Sequence, residues 1–355
     1  MLVRLYKLQL ADALQTVAKT VERKASAFYL QVAKLTFEKD YLTMQATNLE
    51  RFLTVKVPLE QVELFAEPET VYVDGMKFAK FVKELDEEIL LEPKDTELVV
   101  KSGRTKAKFL VIHDADLPEF PEAVYDIEFD AKLLLDAIDR VSFAISKEAD
   151  NLKCLLIDGK GDYINFVGSD GYRLVIYKHP MSFDKRFRLH ESGLVVLKDL
   201  LDEVDTVRLG ATENMTFVAT ELWELALRNA EGEYPDYEAV IPSDYNCRAV
   251  FDADDMDKAL KKLLVFGEYA VGVDMFIDGE DIVMKTQNPD YGEIEVKVPA
   301  GEVSGGMHVA FNGKYLKQFI DSAEGKVEMK LIDAESPMLF ENGENYMYLL
   351  MPMRL

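Results

Sequence analysis

The chain has 355 residues, 48% of them hydrophobic, enough for two or three domains of ordinary size. It carries 65 Asp and Glu against 41 Lys and Arg, a net charge of −24, so a uniformly charged surface would repel nucleic acid. No apolar run reaches the ~18 residues of a membrane span, and the two cysteines, Cys154 and Cys247, are too few for a disulfide framework and lack metal-type spacing, so they read as reduced, buried thiols in a cytoplasmic protein.

In the opening stretch, MLVRLYKLQLADALQ, Asp12 interrupts the apolar residues and no small-residue cleavage site follows, which is not the pattern of a signal peptide. Helical spacing begins near Gln9, with Leu10, Leu14, Val17 and Val21. In 37–52, Leu42, Met44 and Ala46 alternate with Tyr41, Thr43 and Gln45, the period of a strand. A second helix is predicted over 74–85, with Asp74 as N-cap, and a hairpin over 98–112. The Pro- and acid-rich segment 114–126 reads as a linker.

The same order then returns. Leu134, Ile138, Val141 and Ile145 mark a helix from near Phe129, followed by strands and a Gly-rich turn in 157–174, a helix over 197–204 and a hairpin over 207–227. A second linker is predicted at 234–246. Met256, Leu260, Leu263 and Leu264 open a third round, followed by strands in 277–298, a helix over 312–323 capped by Asn312, and a closing hairpin in 327–353. The helical starts lie about 120 residues apart, which is domain-sized rather than the period of a short solenoid. The expected fold class is α+β: three repeated domains, 1–120, 121–242 and 243–355, each with two helices packed on antiparallel sheets. The other reading of the pattern is one large α+β domain with coincidental spacing.

Cations concentrate on the predicted helices: Lys19, Arg23 and Lys24; Lys77, Lys80 and Lys83 at three-residue spacing on one face; Lys132, Arg140, Lys147 and Lys198; and Lys258, Lys261, Lys262, Lys314 and Lys317. Acidic runs fall mostly in turns and linkers, at 86–88, 114–116, 231–233 and 252–255. If all six helices face one side, they form a basic stripe within an acidic shell, suited to phosphates rather than base edges. No catalytic or metal pattern accompanies it. There is no phosphate-cradling G-x-x-x-x-G-K-[ST] and no H-E-x-x-H, and His113, His179, His190 and His308 are scattered. No cofactor or metal is expected.

Five strings in order, SDGYRL (169–174), YPDYEAVIP (234–242), FNGKYL (311–316), SPMLF (336–340) and YLLMPMRL (348–355), resemble the bacterial sliding clamp family, the β subunit of DNA polymerase III, over the whole chain. The resemblance implies a non-catalytic processivity factor: a head-to-tail homodimer forming a ring around double-stranded DNA, with helices lining the hole. It also implies partners, namely the replicative polymerase, clamp loader, repair polymerases and mismatch-repair proteins, docking through short peptides. The groove positions that match are Leu152, Ser169, Gly171, Tyr172, Arg173, Leu174, Pro235, Val240, Asn312, Tyr315, Ser336, Leu349, Met351, Pro352, Met353 and Arg354. Leu, Val and Met suit an adaptable apolar groove, with Arg173 and Asn312 placed to hold a peptide backbone or carboxylate. The subunit contact implied by the resemblance sets Ala107 and Phe109 against Val265 and Phe266. The chain departs from the family at Tyr172, Ser169 and Ala239, where His, Thr and Arg are common, and at Ala107, which is small for a contact residue. The alternatives are an acidic ring-shaped scaffold that does not encircle DNA and an acidic hydrolase.

Overall fold

The computed structural model describes residues 1–22, 27–63, 67–113, 117–202, 204–266 and 272–354. Within them one element order occurs three times: strand, helix, a group of strands, helix, three strands. The first round is β1 (Leu2–Tyr6), α1 (Lys7–Thr20), β2 (Val32–Phe37), β3 (Tyr41–Thr47), β4 (Arg51–Pro58), β5 (Gln61–Glu63), β6 (Glu69–Asp74), α2 (Gly75–Lys83), β7 (Glu88–Pro93), β8 (Glu97–Ser102) and β9 (Thr105–Leu110). The second is β10 (Ile127–Asp130), α3 (Ala131–Val141), β11 (Cys154–Gly159), β12 (Gly161–Ser169), β13 (Arg173–Phe183), β14 (Arg186–His190), α4 (Glu191–Leu201), β15 (Thr206–Ala211), β16 (Met215–Ala219) and β17 (Trp223–Arg228). The third is β18 (Cys247–Asp252), α5 (Ala253–Leu263), β19 (Gly272–Asp278), β20 (Asp281–Asn288), β21 (Gly292–Ser304), β22 (Met307–Asn312), α6 (Gly313–Ile320), β23 (Lys326–Leu331), β24 (Met338–Asn342) and β25 (Tyr346–Leu350).

Each helix starts directly after a strand, and in four of them the last strand residue is an Asp or Asn whose side chain accepts an amide of the first turn. Asp74 takes Lys77 N at 2.9 Å, Asp130 takes Leu133 N at 2.8 Å, Asp252 takes Asp254 N at 3.1 Å and Asn312 takes Lys314 N at 3.0 Å. One apolar stripe per helix is buried, such as Leu10, Leu14 and Val17 on α1 and Met256, Leu260 and Leu263 on α5.

Contacts divide the chain into two compact bodies, Met1–Leu135 with Ser192–Asn229, and Asp136–Glu191 with Ala230–Leu355. The first holds a five-stranded sheet, β5-β1-β7-β8-β9, and an eight-stranded sheet, β10-β15-β16-β17-β4-β3-β2-β6. The second holds a twelve-stranded sheet, β14-β11-β12-β13-β25-β24-β23-β18-β21-β20-β19-β22. Both large sheets join strands of successive rounds edge to edge. β4 pairs antiparallel with β17, Val55 opposite Trp223, and β13 with β25, Tyr177 opposite Tyr346. In the first body β9 ends its sheet. In the second, Gly292–Pro299 of β21 pairs with β20 alone, the strand crossing to β18 only from Ala300 onward.

Several boundaries differ from the sequence expectation. The second helix of the middle round spans Glu191–Leu201 rather than 197–204, because Ser192 and Gly193 belong to its first turn. Gly193 packs where a Cβ would lie 2.2 Å from a Leu227 methyl, so the residue that resembles a breaker serves close packing. The closing hairpins of 207–227 and 327–353 are three strands each. The supposed linkers are packed: Phe120, Ala123 and Tyr125 sit against Phe52, Phe217 and Ala226, while Tyr234 and Tyr237 are buried. Residues 114–116 of the first lie outside the described residues. Cys154 and Cys247 are free and buried.

Candidate functional site

In the second body, five chain segments converge on an apolar cavity of about 400 Å³: Leu152 ahead of β11, the β12–β13 turn, the segment after Ala230, the residue before β24, and the end of β25. The turn is fixed by its own side chains. Gly171 takes φ +87°, Tyr172 N and Arg173 N donate to Asp170 Oδ1 at 3.0 and 3.1 Å, and Gly171 N donates to Ser169 Oγ at 3.2 Å. Met351 N donates to the Tyr172 carbonyl at 2.9 Å, which carries the ladder one residue beyond β25 and holds the chain end against the turn.

Of the predicted groove residues, Leu152, Ser169, Gly171, Tyr172, Arg173, Leu174, Pro235, Val240, Leu349 and Met351 line this cavity. Its floor is the core formed by Cys154, Leu156, Val167, Leu174, Ile176 and Leu349. Tyr172 is 65% exposed, Val240 54% and Met351 39%, so apolar surface at the mouth is left uncovered.

The other predicted positions do not line it. Asn312 caps α6 through its side-chain oxygen, accepting from Lys314 N at 3.0 Å. Tyr315 stacks under Arg173, 4.0 Å from guanidinium carbon to ring centre, and lines a neighbouring polar cavity with Ser146 and Gln318. Ser336 N donates to Asp333 Oδ1 at 2.7 Å, and the adjacent Pro337 lines the groove in its place. Met353 N bonds the Ala310 carbonyl at 2.7 Å, leaving Pro352 partly buried and Arg354 exposed beside it.

Arg173 also differs from expectation. Its Nε donates to Asp170 Oδ2 at 3.0 Å, its remaining nitrogens reach Gln318 Oε1 and the Phe143 carbonyl, and it is 8% exposed. The guanidinium therefore braces the turn and is not free for a ligand carboxylate.

Four lining residues escaped the sequence reading: Tyr234, Asp236, Tyr237 and Pro337. Tyr237 donates to Asp158 Oδ2 at 2.7 Å and accepts from Asn165 Nδ2 at 3.0 Å, and Lys160 pairs with both Asp158 and Glu238 at 3.1 Å. Burial foremost, with the bond to Asp158, pushes the Tyr237 hydroxyl above its ordinary pKa despite the opposing bond from Asn165. The two tyrosines of YPDY, three residues apart, were the available signal, hidden by the acidic, proline-bearing look of a linker.

The helix cations behave unequally. Lys80, Lys83, Lys147 and Lys262 are exposed and make no ion pair among the described residues. Lys77 pairs with Asp74 at 3.1 Å, Lys132 with Asp205 at 2.8 Å, Lys258 with Asp255 at 3.3 Å and Lys261 with Asp257 at 2.6 Å, all at exposed positions. Lys19 is held by Asp199, and Lys317 by Asp257 and Asp321. Arg140 is half-buried against Tyr177 and Tyr346, which makes it a packing residue and not a free cation. Lys198 lies on α4 and Lys314 on α6, and Arg23 and Lys24 lie outside the described residues.

Ala107 and Phe109 lie on β9, where Phe109 turns inward onto Phe78 and Phe81 at 5.2 Å each and the next residue, Leu110, is 79% exposed. Val265 is 74% exposed, and Phe266 lies 6.1 Å from the exposed Tyr291. Among the described residues no three His, Cys, Asp or Glu side chains are grouped to hold a metal, and no helix is long and apolar enough to cross a membrane.

Comparison with known proteins agrees with this architecture. Residues 1–121 match the family described as DNA polymerase III beta subunit, N-terminal domain, and residues 238–354 match its C-terminal domain. The beta sliding clamp of Pseudomonas aeruginosa is 26% identical over 361 residues, spanning 98% of each chain. The crystal structure of the DNA polymerase III subunit beta from that organism superposes with a TM-score of 0.90 at 26% identity, over 100% of both chains. A sliding clamp from Pseudomonas aeruginosa bound to griselimycin gives 0.90 at 25% identity, again over 100% of both. With two family models covering both ends and full-length similarity joining them, the chain belongs to the DNA polymerase III beta subunit, or beta sliding clamp, family.

Proposed function

We propose that this chain is a DNA sliding clamp, a non-catalytic processivity factor that encircles duplex DNA as a head-to-tail homodimer in the bacterial cytoplasm. One observation carries the assembly. The three rounds of structure meet through two strand pairings, β4 with β17 and β13 with β25. The strand of the third round that corresponds to β4 and β13 is β21, and the strand of the first round that corresponds to β17 and β25 is β9. β9 ends its sheet and the Gly292–Pro299 segment of β21 pairs with β20 alone, and Leu110, Val265 and Tyr291 are exposed apolar residues on or near them. A second copy satisfies both edges at once, a heterologous contact that closes after two chains and removes two aggregation-prone strand edges. In this reading the domains are 1–120, 121–242 and 243–355.

A closed ring is held on DNA by topology, so its contacts need only be weak and blind to sequence. Lys80, Lys83, Lys147 and Lys262, exposed and without an ion pair among the described residues, are suited to phosphate, and the ion-paired lysines are the weaker candidates. The chain has no nucleotide-binding motif, so an ATP-driven loader must open the ring. The cavity between Leu174, Val240 and Met351 is the docking groove for short apolar peptides of the polymerase, the loader and repair proteins. Its recognition is mainly by shape and apolar burial, because Arg173 is committed to the turn. The acidic scaffold and the hydrolase are not retained.

The test of assembly is molar mass in solution. The wild-type chain is expected at twice the mass of one chain, and Leu110→Asp at one. A monomeric wild type at micromolar concentration would refute the paired-edge reading.

A further inference from the structure

At one position the two bodies differ, and the difference leaves a socket. In the second body Arg140, the tenth residue of α3, fills a fitted site. Its Nε donates to Asp136 Oδ1 at 2.8 Å and its Nη1 to the Ser322 carbonyl at 3.2 Å. Its guanidinium carbon lies 5.2 Å from the Tyr177 ring centre and 5.5 Å from that of Tyr346, the two rings opposed across β13 and β25.

The first body builds the same site from corresponding residues. Asp12 and Asp136 are the sixth residues of α1 and α3, and Thr16 and Arg140 the tenth. Trp223 opposes Val55 across β17 and β4 as Tyr346 opposes Tyr177. Leu200 follows the start of α4 by nine residues, as Ser322 follows the start of α6. The carboxylate, the aromatic wall and a helix-end carbonyl are present, but the short Thr16 stands where the arginine would be. A cavity of about 630 Å³ occupies the space, lined by Asp12, Thr16, Val55, Leu200 and Trp223. Asp199, Asp202 and Glu221 also line it, with Lys56 as their counterweight. Asp199 is held by Lys19, whereas Asp12, Asp202 and Glu221 make no ion pair among the described residues.

We infer that this cavity accepts the arginine side chain of a partner protein's peptide, taking in trans the place that Arg140 fills in cis in the second body. The chemistry favours guanidinium over ammonium. A planar guanidinium stacks on Trp223 while donating in its own plane to Asp12 and to the Leu200 carbonyl, which lies in the last helical turn where carbonyls lack intrahelical partners. The excess of unpaired carboxylates at the rim draws a cationic segment. The socket is separate from the apolar groove and stands whether or not the groove binds peptides.

Trp223 is the chain's single tryptophan, so its emission reports this site alone. Titrating the full chain with the blocked tripeptide N-acetyl-Gly-Arg-Gly-amide is expected to give a saturable change in emission. The citrulline tripeptide, and the arginine tripeptide on Asp12→Asn, are expected to bind at least tenfold more weakly. Thr16→Arg supplies the guanidinium from within. It is expected to shift emission without peptide, to raise the thermal midpoint and to abolish the response. Equal responses to arginine and citrulline would overturn the inference. So would the absence of a saturable response in the wild type, or a folded Thr16→Arg chain that binds the tripeptide as wild type does.

Discussion

The groove's affinity rests on Met351 and Val240, and the size of their contribution follows from their exposure. Met351→Ala removes three heavy atoms, about 2.4 kcal/mol of burial at about 0.8 kcal/mol per group. Because 39% of Met351 is open before a ligand arrives, only that share is newly covered, roughly 1 kcal/mol. Val240→Ala removes two methyl groups from a residue that is 54% exposed, a loss of roughly 0.9 kcal/mol by the same scale. The double variant is therefore expected to weaken an apolar peptide by about 1.9 kcal/mol, or about 20-fold. Fluorescence anisotropy with a labelled peptide bearing two adjacent large apolar side chains measures this. Both residues are already part-solvated, so the thermal midpoint should move little. Affinity within twofold of wild type would refute the assignment, and an equal loss of stability would show that the residues support the fold rather than the ligand.

Other outcomes follow from the same geometry. Lys80→Glu, Lys83→Glu and Lys147→Glu together should speed loss from loaded DNA and flatten its salt dependence while leaving the dimer's mass unchanged, whereas the same exchange at the ion-paired Lys258 and Lys261 should do less; gel-filtration retention across a salt series distinguishes them. Tyr237→Phe leaves Asp158 with Lys160 and Arg186 but removes two hydrogen bonds, the one to Asp158 and the one from Asn165, and should cost about 1–2 kcal/mol in chemical denaturation. Burial pushes the Cys154 thiol up to about 12, and burial also raises Cys247. With the folded value above the unfolded one, this stabilisation is complete below about pH 9 and declines as pH rises through the range between the two. Neither thiol of the native protein should react with iodoacetamide at pH 8, and both should in denaturant. Rapid native alkylation would contradict their burial.

The features legible in the sequence were those written as short-range pattern. The stripe of Leu10, Leu14 and Val17, the alternation in 41–46 and the caps at Asp74 and Asn312 each depend on neighbours a few residues away, and each is observed. What stayed hidden depends on partners far along the chain. Gly193, ahead of the helix predicted over 197–204, is helical and packs against Leu227, and Tyr237 looked like linker until Asp158 and Asn165 met its hydroxyl. Arg173 reads as a ligand-binding cation in isolation, but Asp170, Gln318 and Phe143 satisfy it from three segments. The cations on the helices were visible as a count, yet Asp199, Asp205 and Asp257 neutralise Lys19, Lys132 and Lys317 through contacts that spacing alone does not reveal.

The central claim is that the chain holds DNA by enclosing it. The most direct measurement loads the protein on a nicked circular plasmid with a clamp loader, then compares retention before and after one restriction cut. Enclosure predicts stable retention on the circle and rapid loss from the linear form, with retention restored when bulky proteins block both ends. Equal retention on circular and linear DNA would mean that the chain binds DNA by contact alone, and would contradict the account.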